Sequence, residues 1–500
     1  MNRSPTILAA AVAAIVSVSG AGGASAASVG RPATVGPEAA KSRPTTQASR
    51  LKITTTSRTR VEAWNWFDPG NPAVGKQNRY TYGANLLKIT GTRKLRHGES
   101  FAELAMPSFI GLPDDAVAAA PAGQLGPGAT YRATNGGQEF TVFIKQAGFL
   151  HRFEHHPKLA LKLGRFEFAE GSECFTTDPT LDWLKRERIG HRLLGNFGFT
   201  HIQRSFDGFT LSHDTARDHW IVAAVRPTVG CFNLDANLEL TGVTVGYFAY
   251  TLKGSKKRGD GRAFLIVYDD DRDVLKTDNR TAAARKADTR DITLATVGGH
   301  YLKKLGPVDL LAWGALQWGD WGTLDHDAWA WDFELGYQPS GTALKPWLRA
   351  GVCRTSGDSN SRDGKHQTFS QLLPTARVYA RTPFYNMMNL QDAFVSLLLR
   401  PSKKVTLRTE YHDLTLQDAA DLWYLGGGAY ESQTFGFAGR PSGGSRSLAR
   451  LVDLGVEWKA GQRTTVNIYG GRALGDSVIR SIYPAGPDGS FAMAEVMHRF

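Results

Sequence analysis

Cysteine is scarce. Cys174, Cys231 and Cys353 are the only three in 500 residues, none belongs to a Cys-x-x-Cys pair, and at most one disulfide could form, so a disulfide framework is excluded. Long apolar runs are missing after the first two dozen positions, which removes any membrane-spanning helix of roughly 20 residues. No Gly-x-Ser-x-Gly elbow and no coherent Ser, His and acid set is present, so an enzyme is not expected. No internal repeat points to a propeller or solenoid. Acidic charge is also in deficit: 47 Asp and Glu face 59 Lys and Arg, a net +12. In a confined space that excess favours anionic partners. Nucleic acid is set aside as that partner, because the chain carries an export signal and lacks both a recognition-helix pattern and an aromatic and basic single-strand platform.

That signal opens with Arg3, continues through the apolar run Ile7 to Val18, and reaches the small-residue cleavage pattern Ala24-Ser25-Ala26. Residues 1–26 are therefore expected to be a signal peptide. Residues 27–57, rich in Ser, Thr, Ala, Gly and Pro without periodicity, are expected to be a flexible N-terminal extension. Residues 58–500 are then the folded body. The far end, Ser490-Phe491-Ala492-Met493-Ala494-Glu495-Val496-Met497-His498-Arg499-Phe500, alternates and stops on an aromatic residue. The two ends together predict an all-β protein, a transmembrane antiparallel up-and-down β-barrel in the bacterial outer membrane, with outer-membrane lipid around it.

Between the ends, short alternating runs recur between clusters of Gly, Asp, Asn, Pro and Ser. In 328–336, Trp329, Trp331, Phe333 and Leu335 share one face, expected toward lipid, while Asp332 and Glu334 share the other. Val405, Leu407, Thr409 and Tyr411 oppose Thr406, Arg408, Glu410 and His412 in the same way, as Val452, Leu454, Val456 and Trp458 oppose Asp453 and Glu457. In 344–352, Leu348 opposes Arg349. Nineteen such runs are found, including one at 375–385, and closure with an even number predicts about eighteen strands. Tight connections at 303–306, 401–402 and 459–462 are expected at the periplasmic end. Long connectors at about 109–138, 170–198, 270–290, 355–374 and 415–446 are expected outside or folded into the channel. A barrel of this size has a wide lumen, so such loops must narrow it if transport is selective.

Three stretches carry more than periodicity: Lys162-Leu163-Gly164-Arg165-Phe166-Glu167-Phe168; Arg204-Ser205-Phe206-Asp207-Gly208; and a run from Leu348-Arg349-Ala350-Gly351 through Ser356-Gly357-Asp358 and Asp363-Gly364-Lys365 to Leu372-Leu373-Pro374-Thr375. In order and spacing they resemble the alginate export family of outer-membrane channels over roughly 60 to 500. The resemblance implies an electropositive lumen that passes an anionic uronate polysaccharide, with loops restricting the conduit. The alternative cargo, on the same fold, is small anions or other small nutrients in a substrate-specific porin. The partners expected are an anionic polysaccharide or oligosaccharide and periplasmic export machinery, and the barrel is expected to act as a monomer without cofactors.

Carried onto this chain, the motifs make Arg165, Arg204 and Asp207 candidate lumenal contacts, and alternation adds Arg349 and Arg408. Arginine suits the task because its planar fork matches a carboxylate. Two roles stay open for Arg349 and Arg408, ligand contact or a barrel-wall ion pair. Arg165 has the strand parity of Leu161 and Leu163, so either a bulge intervenes or it points away from the lumen. Asp207 has a structural alternative, locking Arg204 or the turn at Gly208. The family pattern is breached by the basic stretch Leu184-Lys185-Arg186-Glu187-Arg188-Ile189-Gly190-His191-Arg192, for which a solvated surface loop is the simpler reading and a lumenal basic patch the other. No metal is expected at Asp358–Gly364, which lacks EF-hand spacing, or at His155-His156, whose side chains point to opposite faces.

Overall fold

Alternation dictates the architecture. On the strand Leu324–Tyr337, Trp331, Phe333 and Leu335 are 38, 46 and 49% exposed, whereas Asp332 and Glu334 are buried. A strand with one apolar and one polar face is stable where lipid meets a polar interior, provided that every backbone group is paired. A computed structural model describes residues 50–70, 77–115, 126–255, 258–375 and 380–500. The expected signal peptide, and the extension as far as residue 49, lie outside the described residues.

Eighteen strands pair with their sequence neighbours: β1 (Lys52–Asn65), β2 (Arg79–Leu95), β3 (Gly98–Ile110), β4 (Phe143–Phe153), β5 (His156–Phe166), β6 (Phe206–Asp214), β7 (Asp218–Pro227), β8 (Val243–Leu252) and β9 (Asp260–Asp270), then β10 (Ile292–Leu305), β11 (Val308–Trp321), β12 (Leu324–Tyr337), β13 (Trp347–Thr355), β14 (Leu390–Leu399), β15 (Val405–Leu416), β16 (Ser447–Trp458), β17 (Thr464–Gly475) and β18 (Asp488–Arg499). β1 closes on β18 in a register running from Thr56 opposite Arg499 to Asn65 opposite Ser490. The result is a closed antiparallel barrel with no free edge. Short turns, among them those after β10, β14 and β16, gather at one end, and the long connectors gather at the other. By the rule for outer-membrane barrels the turn end is periplasmic.

Two boundaries differ from the sequence reading. β1 begins at Lys52, inside the stretch expected to be extension, because Thr54, Thr55, Thr56 and Ser57 complete its ladder with β2. The run at 375–385 supplies no strand among the described residues. β13 pairs directly with β14, which leaves it no ladder position, and Phe384 instead packs edge-on against Trp66 and Phe67.

The inward face is divided. On β7 to β11 it carries an apolar cluster, with Ile221, Val225, Val245, Ile266, Leu294 and Leu311 all buried, beside buried Asp260, Arg262, His300 and Asp309. Residues 167–205, connecting β5 to β6, fold inside and cover that half with Leu181, Leu184, Ile189, Leu193 and Leu194. On β13 to β18 and β1 to β3 the inward face carries charged side chains, among them Arg60, Glu62, Glu103, Arg349, Arg408, Glu410, Asp453 and Glu495, beside a second apolar cluster that includes Trp64, Leu414, Leu451 and Phe491.

Candidate functional site

The inner connector is built to stay in place. Asp178 caps its first turn, accepting from the backbone N–H groups of Thr180 and Leu181, and Pro179 follows at a position where no N–H is needed. The helix Pro179–Leu184 runs into a wider π turn at Lys185–Ile189. This places Arg188 and Arg192 on the β12 wall: Arg188 bonds Glu334 at 2.8 Å, and Arg192 bonds Asp332 and donates to the Arg188 carbonyl at 2.6 Å. Glu170, from the start of the same connector, pairs with Arg262 of β9 at 3.0 Å. The basic stretch 184–192 is therefore not a solvated surface loop. Lys185, Arg188 and Arg192 are buried, because inward carboxylates of the barrel wall wait for them. His191 lies among them, its imidazole pushed down to about 4 by burial and so neutral at pH 7.

The five sequence candidates do not meet in one place. Arg165 and Asp207 sit opposite each other on β5 and β6 and form a two-pronged pair at 2.7 and 2.6 Å. Asp207 shares its face with Phe209 and lies opposite Arg226, both exposed, so the pair is on the outer wall and not in the lumen. Arg204 is fully buried and donates to the carbonyls of Leu373, Gly427 and Ala429 at 3.0, 2.9 and 2.9 Å. It ties three connectors together and reaches no carboxylate in that network. Asp207 does not lock it. Arg349 faces inward but is neutralised by Asp309 and by Glu334 at 3.0 Å, the barrel-wall ion pair of the two readings. Arg408 also faces inward, 2.9 Å from Glu410 and 3.5 Å from Glu187.

Charges that keep contact with water lie elsewhere. Glu187 of the π turn and Arg381 form a 3.6 Å pair whose side chains are 39 and 30% exposed, and Lys88 and Glu167 form a 4.0 Å pair whose side chains are 21 and 29% exposed. Toward the turn end, strand parity turns Arg152, Lys158, Lys162, Lys304, Arg400 and Arg499 inward. None of these six forms a salt bridge among the described residues. Lys162 rests on the faces of Phe101 and Phe166, and Arg400 on Trp347. Sequence reasoning missed both groups. Parity was the available signal for the six. For Arg188 and Arg192, the signal was their spacing of four within a run that also carries Leu184, Ile189, Leu193 and Leu194.

The arrangement is a wall, an inner connector packed against it and a basic mouth. No curated protein sequence matches the chain. Among solved structures it is similar to a BenF-like porin from Pseudomonas fluorescens Pf-5, with TM-score 0.56 and 9% identity. It is also similar to Pseudomonas aeruginosa OccK9 (OpdG), at 0.55 and 11%, and Acinetobacter baumannii OccAB4, at 0.53 and 10%. Each covers 90% of this chain and 98% of its own. Those likenesses carry the barrel fold alone. The family model for alginate export matches residues 142–480, from the end of β3's long connector to the helix before β18. With most of the chain matched and the barrel closed, this outer-membrane channel belongs to the alginate export family.

Proposed function

We propose that the channel passes an acidic polysaccharide or oligosaccharide of the uronate class by diffusion along the polar half of the lumen, entering at the turn end. The observation that carries this reading is the set of inward basic side chains at that mouth, Arg152, Lys158, Lys162, Lys304, Arg400 and Arg499, none of which forms a salt bridge among the described residues. Deeper charges are paired, so they supply polarity without holding a polyanion tightly, and transport needs release as much as capture. The family membership supports the same cargo class. The apolar outer wall and single-chain closure support action as a monomer, fed by periplasmic export machinery.

A second reading, a porin for small anions, is favoured by the inner connector, which leaves only part of the cross-section open. Single-channel current in a planar bilayer separates the two. Oligouronates should block an anion-preferring conductance, and neutral oligosaccharides of equal length should not. In a Lys304→Glu, Arg400→Glu double variant, block should weaken at least tenfold. A conductance indifferent to uronates but saturable by small anions would favour the porin.

A further inference from the structure

We propose that Glu410, His412 and Asp453 form a binding site for one divalent transition-metal ion of the zinc class on the lumen wall. Glu410 and His412 alternate on β15 and therefore share its inward face, and Asp453 of β16 stands directly opposite Glu410 in the register. One donor atom from each residue lies within 4.8 Å of the others. Two like charges facing each other across neighbouring strands are unfavourable unless a cation lies between them. Arg408 occupies Oε1 of Glu410 at 2.9 Å, which leaves Oε2 available. Asp453 accepts from the Tyr469 hydroxyl at 2.9 Å but has no salt bridge among the described residues.

The imidazole is held as a ligand would be. Nδ1 of His412 meets both oxygens of Asp392, at 2.9 and 3.0 Å. A carboxylate on one ring nitrogen fixes the tautomer and turns the other, Nε2, toward the metal. An independent observation comes from Tyr385. It is 3% exposed, its ring lies 6.5 Å from that of His412, and its hydroxyl has no hydrogen-bond partner among the described residues. Three protein ligands leave a tetrahedral ion one open position.

One imidazole nitrogen with two carboxylate oxygens suits zinc, cobalt or nickel, whereas calcium and magnesium prefer an all-oxygen shell. Arg188, Arg381 and Arg408 stand near the same carboxylates and oppose a cation, so binding should be weaker than at a closed structural zinc site.

The test uses the full chain refolded in detergent, stripped with chelator, incubated with zinc chloride, desalted and analysed for metal. One equivalent of zinc is expected per chain, and cobalt chloride should give visible ligand-field bands that zinc abolishes. His412→Gln and Asp453→Asn should each lose the retained zinc while keeping the heat-modifiable gel mobility of a folded barrel. Asp392→Asn leaves all three ligands in place and should weaken zinc about tenfold, the usual effect of removing such an outer partner. It serves as a second arm if a ligand variant does not fold. Failure of the wild-type chain to retain zinc, or retention unchanged in folded His412→Gln, would overturn the proposal.

Discussion

Arg192→Met is the sharpest probe of how the lumen is partitioned. The guanidinium lies on β12 Asp332, packs 5.1 Å from the Trp313 ring centroid and donates to the Arg188 carbonyl. Replacing it with a side chain of similar length keeps the packing but leaves Asp332 buried without its partner, two residues from Glu334. Breaking one side of a buried ion pair costs about 3–5 kcal/mol. The eighteen-strand wall cannot absorb that by opening, so the cost falls on docking of the inner connector. Docking should hold: Leu181, Leu184, Ile189, Leu193 and Leu194 are buried to within 1%, and each contributes about 1.5–3 kcal/mol. Arg188 and Glu170 also keep their partners. The expected phenotype is therefore a conductance whose main level is unchanged but whose brief upward excursions become at least roughly a hundredfold more frequent, since each 1.4 kcal/mol is a factor of ten. Adding Asp332→Leu removes the stranded charge and should bring the excursions most of the way back, because deleting both partners of a buried pair is close to neutral. Single-channel recording reads both. An excursion rate equal to wild type in the single variant, or one that the second substitution leaves unrescued, would refute the claim that this pair holds the constriction.

Arg204→Ala should lower the temperature of heat-modified gel mobility and give noisy, unstable channels, because the carbonyls of Leu373, Gly427 and Ala429 lose a charged donor together, each such bond contributing about 1.5–3 kcal/mol. Asp207→Ala, by contrast, removes an outer-wall pair with side chains 15 and 27% exposed; it should cost less than about 1 kcal/mol and leave conductance and uronate block unchanged. Acidification should loosen the inner connector. His191 is neutral when docked, with its ionisation lowered to about 4 against an ordinary 6.5, so the released state takes up the proton first and docking is lost as pH falls from 6.5 toward 4. The full penalty is at most about 3 kcal/mol; upward excursions measured across that window should rise, and the rise should be shallower in His191→Gln.

The strands were legible because their information is local. A period of two survives in Trp331 to Leu335, in Leu407 to Tyr411 and in Val452 to Val456, and each of these faces lipid as expected. The inner connector was not legible, because its stability is held by residues far away in sequence. Arg188 and Glu334 are 146 positions apart, and Arg262 and Glu170 are 92. A dense basic run looks solvated until its acids are found. The acids could have prompted the search: Asp332 and Glu334 are both inward on one strand, and two neighbouring carboxylates in a lumen require cations. The run at 375–385 misled for the opposite reason, since its residues satisfy a strand pattern while Phe384 packs against Trp66 and Phe67.

Pairing explains how one lumen can be strongly charged and still let a polyanion leave. Arg349, Arg408, Arg188 and Arg192 are each held by carboxylates that a uronate would have to displace, paying again for desolvated charges that are already matched. In the function proposed above, their part is to fix the shape of the lumen wall. At the turn end the inward basic side chains form no salt bridge among the described residues, and attraction there is long-ranged, weak per contact and screened by salt. On that proposal, capture falls to the mouth and passage to the paired wall. The Glu187–Arg381 and Lys88–Glu167 pairs lie between these regimes: partly solvated, they can exchange a protein carboxylate for one on the polymer and take it back. A chain moving past them replaces one weak contact with the next, so its progress needs no tight site and no moving part beyond the inner connector that sets the width.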